Sequence, residues 1–203
     1  MKPTCLYYVH DPMCSWCWGF RPVFKELKQL LPESLSIEYV LGGLAPDNDE
    51  VMPIPMQESI CNTWRTIERK LGTSFNFEFW EKCKPRRSTY PTCRAVIAAD
   101  NQGQGESMLF AIQEAYYLRA MNPSDDATLI ALAEEIKLDR NQFEKDINST
   151  ETEEELERQI DLGESLGVMG MPGLVLRKGE SNLMIAIDYL GPETMAEQIR
   201  EFL

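Results

Sequence analysis

The sequence predicts an α/β fold in which a β-α-β unit, a long helical block and a β-β-α unit follow one another along 203 residues. Three observations carry this expectation. Short apolar runs bounded by turn residues occur near both ends of the chain, whereas residues 46–167 show the three-to-four-residue apolar spacing of helices. The pair Cys14-Ser15-Trp16-Cys17 stands where the first strand pattern hands over to the first helix pattern. Glycines punctuate the edges of the helical block, Gly42-Gly43 before it and Gly167 after it.

In order, residues 4–9 read as a buried strand and His10-Asp11-Pro12-Met13 as a turn. A helix over 14–31 follows, with Phe20, Val23, Phe24, Leu27, Leu30 and Leu31 on its apolar face. Pro22 lies inside it and predicts a kink near its cysteine end. Ser36 to Leu41 alternates like a second strand. Helices are predicted over 57–71, 92–102, 105–121, 126–136, 140–147 and 152–166, with Ser124 and Asp139 as N-caps and Thr152 with Glu155 as a capping box. Strands over 173–177 and 183–187 flank a turn at Lys178 to Ser181, and a last helix fills 192–202. The expected domains are residues 1–45 with 168–203, and an inserted helical domain over 46–167.

Composition narrows the function. A formal charge of −13 disfavours nucleic acid and anionic membrane as partners. No stretch is long and apolar enough to cross a bilayer, and Met1 to Cys5 run straight into a strand pattern without a signal peptide, so the expectation is a cytoplasmic protein. A chain that begins after cleavage is the alternative, which the initial Met1 disfavours. Six cysteines in a chain of this length do not make a disulfide scaffold, and most should be reduced.

The chemistry concentrates in the Cys-x-x-Cys pair. Residues three apart lie on one face of a helical turn, close enough to bridge with little backbone movement. At the helix start, unpaired N–H groups and the macrodipole favour a thiolate on the first sulfur. Cys14 is therefore the candidate nucleophile and Cys17 the resolving thiol. A zinc site built on these two would need a second closely spaced Cys/His pair, which the sequence lacks, so no metal is expected.

The string Asp11-Pro12-Met13-Cys14-Ser15-Trp16-Cys17-Trp18-Gly19-Phe20, with Pro22 five residues after the second cysteine and Met171-Pro172 ahead of a late strand, resembles the DsbA-type branch of the thioredoxin superfamily, including its FrnE-like group. The resemblance implies a thioredoxin fold with a large all-helical insertion between the second and third strands. It implies a thiol–disulfide oxidoreductase and a cis-proline at Pro172 facing the dithiol. Met171 would then present backbone to an extended substrate while Trp16 faces it, the partners being disulfide- or dithiol-containing proteins or peptides. His10, the only histidine, and Asp11 are candidates for tuning the thiolate.

Ser15-Trp16 departs from the Pro-His between the cysteines of periplasmic DsbA, so no imidazole stands there. Kappa-class glutathione transferases and chromene-carboxylate isomerases are similar in fold, and Ser88 to Arg94 loosely resembles a stretch lining their sites. A glutathione-dependent transferase or isomerase is thus the alternative, with glutathione a candidate co-substrate and no other cofactor. Cys5 is expected to be a buried, inert thiol and Cys61, Cys83 and Cys93 structural. Trp18 is expected in the core, and Met169, Met171 and Leu174 around a soft apolar rim.

Overall fold

The structure is a computed structural model that describes residues 4–203, so the reading of Met1 to Pro3 lies outside the described residues. Its elements are β1 Cys5–His10, α1 Ser15–Leu30, β2 Ser36–Leu41, α2 Ile54–Leu71, α3 Phe79–Lys82, α4 Tyr90–Asp100, α5 Gly105–Tyr117, α6 Asp126–Glu135, α7 Arg140–Ile147, α8 Thr150–Ser165, β3 Gly173–Lys178, β4 Ser181–Ile185 and α9 Glu193–Phe202. The order is the expected β-α-β, helical block, β-β-α.

The sheet runs β2-β1-β3-β4, with β1 parallel to β2 and antiparallel to β3. β1 lies inside it and is covered on both faces, which is why its sequence reads as a nearly continuous apolar run. Leu6 and Tyr8 point into a core with Phe20, Phe24 and Leu27 of α1, Leu174 and Leu176 of β3, and Met195 and Ile199 of α9. Val9 points the other way, against Val40, Leu166 and Val175. Each fully buried side chain of this size contributes about 1.5–3 kcal/mol relative to exposure. Leu30, expected on the apolar face of α1, is exposed, and the helix continues through Pro22.

Two compact units result, one made of the chain up to Gly42 with Gln159–Leu203, the other of Gly43–Arg158. The second boundary thus falls inside α8 rather than at 167/168. The reason is local: Leu162 and Leu166 pack with Val9, Val40 and Val175, and the Gln159 side-chain oxygen accepts the Leu41 N–H at the outer edge of β2.

Within the helical unit, Ala98, Met108, Ile112, Leu129, Leu132 and Phe143 gather α4 to α7, and a second cluster surrounds Trp64 with Phe75, Phe79, Tyr116 and Tyr117. Asp139 caps α7 as expected, its carboxylate accepting the Gln142 N–H. Ser124 does not cap α6: Asp125 holds that position, while the Ser124 hydroxyl donates to the Ser88 carbonyl. α8 starts a residue or two before the expected capping box, and the Ser149 hydroxyl accepts the Thr152 N–H. The single turn α3 carries no periodic signal and was not expected. β4 begins at Ser181 rather than 183, because Gly179 at φ +63° allows a tight hairpin that pairs Lys178 with Ser181.

Candidate dithiol site

The turn from β1 into α1 is built by Asp11. Its carboxylate accepts the Met13 N–H at 2.8 Å and its carbonyl accepts the Cys14 N–H at 3.1 Å, which closes the turn and places Cys14 at the N-cap of α1. Cys14 is in extended backbone (φ −78°, ψ 114°), and its carbonyl accepts the Trp18 N–H. Its side chain does not cap the helix, and no acidic residue stands in the first turn to offset the dipole. The thiol is directed instead at Met171, whose carbonyl accepts it at 3.3 Å. The peptide bond between Met171 and Pro172 is cis.

The two sulfurs differ in access. Cys14 is 7% exposed and Cys17 0%, and neither is bridged. Burial pushes the Cys17 thiol well up. Its hydrogen bond to the Cys14 sulfur and the negative charge that sulfur can carry add to the rise, and a backbone hydrogen bond from Asp11 opposes it. The inner sulfur thus holds its proton while the outer one meets solvent.

Trp16 is half-buried and packs on Tyr189, ring centroids 5.1 Å apart. Tyr189 lies between β4 and α9, with its ring also edge-on to Phe20 at 5.7 Å. Burial raises its phenol pKa, and the Cys14 and Cys17 sulfurs raise it further, so its hydroxyl stands in the field of both thiols. Sequence reasoning missed Tyr189, since no motif marks the β4–α9 connection.

Other expectations sort as follows. The Met171 side chain packs inward beside Gly42 and the Val9 and Val40 cluster, so it is the carbonyl that faces the dithiol. Leu174 is fully buried and forms no rim, whereas Met169 is 99% exposed and Leu190, next to Tyr189, 83%. Trp18 is half-exposed, with the Arg21 guanidinium 5.3 Å over its ring, and is not a core residue. His10 is buried, stacked on Tyr8 at 5.0 Å and edge-on to Tyr39. Burial pulls its pKa down to about 3, so the ring is neutral and lends no positive charge. Cys5, Cys61 and Cys93 are buried and not disulfide-bonded, and the half-buried Cys83 donates to the Ala120 carbonyl. In Ser88 to Arg94 the polar groups are committed within the helical unit: Thr92 donates to the Thr89 carbonyl, and Arg94 pairs with Asp47 and Glu153. Among the described residues, no group of three His, Cys, Asp or Glu side chains gathers as a metal site.

A family model described as Thioredoxin matches residues 7–194, nearly the whole chain. The chain belongs to the thioredoxin family. Among curated proteins, this family member is 26% identical over 176 residues to the ClpXP adapter protein SpxH of Bacillus subtilis (strain 168), a match covering 85% of the chain but only 58% of that relative. Among solved structures, it is similar to a candidate protein disulfide isomerase from Nitrosomonas europaea, 25% identical, with a TM-score of 0.83 over 99% of this chain and 97% of that one. It shares its fold with the cytosolic disulfide reductase DsbM from Pseudomonas aeruginosa, also solved with GSH, at 21% identity and a TM-score of 0.78 over 98% of both chains. The likeness to the reductase is one of fold, within the thioredoxin superfamily.

Proposed function

We propose that this protein is a thiol–disulfide oxidoreductase acting through Cys14 and Cys17. One observation carries the reading: an outer sulfur at the N-cap of α1, an inner protonated sulfur one turn on, and the Met171 carbonyl 3.3 Å from the outer one. The Cys14 thiolate attacks a substrate disulfide, forms a mixed disulfide and expels one substrate thiolate, which takes a proton. Cys17 then loses its proton and attacks the Cys14 sulfur, breaking the bond to the second substrate sulfur. Two electrons pass to the substrate and the enzyme is left with a Cys14–Cys17 disulfide; the reverse sequence oxidises a dithiol.

Trp16, Tyr189 and the exposed Leu190 give the substrate an apolar neighbourhood, with the backbone at Met171-Pro172 as an edge to which an extended chain can pair. Protein or peptide disulfides in the cytoplasm are the substrate class. Glutathione is a small-thiol partner on the support of the GSH-bound reductase of like fold.

The test is the reduction potential of the pair in defined glutathione buffers, read by thiol trapping. The expected result is a reversible two-electron transition that Cys14→Ala abolishes, its midpoint fixing the direction of exchange. Absence of that transition overturns the reading. Glutathione-dependent activity that survives Cys17→Ser would replace it with a transferase or isomerase. The curated relatives' name, adapter protein, supports a second reading in which the exposed Met169 and Leu190 dock a protein. Partner binding that persists unchanged in Cys14→Ala is its signature.

A further inference from the structure

Trp16 stands between the two cysteines, and the spacing of α1 decides what holds it. Residues 16 and 20 are four apart, so their side chains lie one turn apart on the same side of the helix. The Tyr189 ring packs on both, its centroid 5.1 Å from that of Trp16 and 5.7 Å from that of Phe20. Phe20 is fully buried and packs in turn on Phe24 at 5.8 Å. The half-buried Trp16 is thereby tied through Tyr189 to the core under α1, and the rest of its indole stays open to solvent beside the dithiol.

The connection that carries Tyr189 is fixed at both ends. Ile185 of β4 is buried opposite Leu174, and Ile187 and Tyr189 continue the inward alternation against the same core, with Ala186 and Leu190 exposed. The Asp188 carboxylate accepts the Leu190 N–H at 2.8 Å, which sets the turn after Tyr189. The Pro192 carbonyl accepts the Ala196 N–H at 2.9 Å, and the buried Met195 and Ile199 anchor α9. The Tyr189 ring is therefore placed by the fold before any substrate arrives, and the indole it supports has little conformational freedom left to lose on binding.

We infer that Tyr189 is the positioning residue that holds the Trp16 indole as a platform for an aromatic side chain next to the reacting cysteine of an extended peptide disulfide. The inference rests on the oxidoreductase reading above and narrows its substrate class. When a substrate sulfur meets Cys14, the neighbouring substrate residue lies one extended step away, at most about 3.3–3.6 Å along the chain, and Trp16 follows Cys14 by two residues in the first turn. An aromatic ring there stacks on the indole and favours the encounter by about threefold to tenfold beyond the area it buries. Oxidised glutathione, whose cysteines are flanked by γ-glutamyl and glycyl groups, offers no such ring. Tyr189 acts through Trp16 and exchanges no proton or electron.

The experiment uses the full-length reduced protein and two uncharged peptide disulfides, the dimers of acetyl-Gly-Phe-Cys-Gly-amide and acetyl-Gly-Gly-Cys-Gly-amide. The bimolecular rate of Cys14 modification is followed by rapid quench and thiol trapping, with Cys14→Ala as baseline. The quantity read is the ratio of the rate for the phenylalanine peptide to that for the glycine peptide, which cancels any change in Cys14 reactivity that a variant brings. The ratio is expected to be about threefold to tenfold in wild type and to persist in Tyr189→Phe, which keeps the ring. It should fall to about one in Tyr189→Leu and in Trp16→Ala, and no further when the two are combined, because each removes the same contact. A ratio of one in wild type overturns the inference, as does a ratio that survives in Tyr189→Leu or is lost in Tyr189→Phe. If neither peptide modifies Cys14 in wild type, the oxidoreductase reading itself falls.

Discussion

Gly42 has no side chain because Met171 occupies the space one would take: a Cβ there would meet the Met171 sulfur at 2.5 Å. Its N–H also donates to the His10 carbonyl, so the backbone on which it sits is tied to the end of β1. Gly42→Ala is therefore expected to push the Met171 segment away and lengthen the Cys14 to Met171 contact. The variant should lose about 1–3 kcal/mol in chemical denaturation, the usual cost of overpacking, and show a shifted Cys14–Cys17 midpoint in glutathione buffers. A midpoint equal to that of wild type would mean that the contact does not set the redox balance. His10 makes a second prediction at this scale. Its pKa in the fold, about 3, is below the ordinary 6.5, so the unfolded chain binds the extra proton. The neutral ring's contribution is fully present above about pH 6.5 and is lost as pH falls toward 3, with a slope approaching about 1.4 kcal/mol per pH unit. The stability difference between wild type and His10→Phe should accordingly be constant above about pH 6.5 and shift against wild type as pH falls below it. A constant difference between about pH 6.5 and 3 would rule the titration out.

Among the elements, α7 offers a clean test of capping, because the Asp139 carboxylate accepts the Gln142 N–H. Asp139→Ala is expected to cost about 1 kcal/mol in urea denaturation. A loss below a few tenths would mean that the cap adds nothing once the buried Phe143 has packed. Elements were legible in the sequence where apolar periodicity sustained them, as in β2 and α7, which fall on the residues expected. Boundaries were less so. Ser124 has the chemistry of a cap, but its hydroxyl finds the Ser88 carbonyl, a partner far along the chain that no local pattern announces. The same division runs through the site. Cys14, Cys17 and the Met171-Pro172 segment carry local signatures and come together in the fold. Tyr189 enters the site through tertiary placement alone, a loop aromatic until its ring meets Trp16.

At the scale of the whole molecule, the dominant quantity is charge: 33 acidic against 20 basic residues, a net −13. Such a field lowers the encounter rate of anionic disulfides and raises that of cationic ones, and salt removes both effects as the Debye length shrinks from about 30 Å at 10 mM to about 3 Å at 1 M. Cystamine, a dication, and oxidised glutathione, a net anion, make the comparison with the same reacting bond. Bimolecular rates of Cys14 oxidation should fall severalfold with added salt for cystamine and rise for oxidised glutathione, the two converging near 1 M. Reversal of the two salt trends would assign control of the encounter to a local cation on α1, Arg21 over the Trp18 ring, rather than to the acidic surface as a whole. The variant that decides between them is Arg21→Gln: it should leave the trends in place if the global field governs, and abolish the reversal if the local cation does.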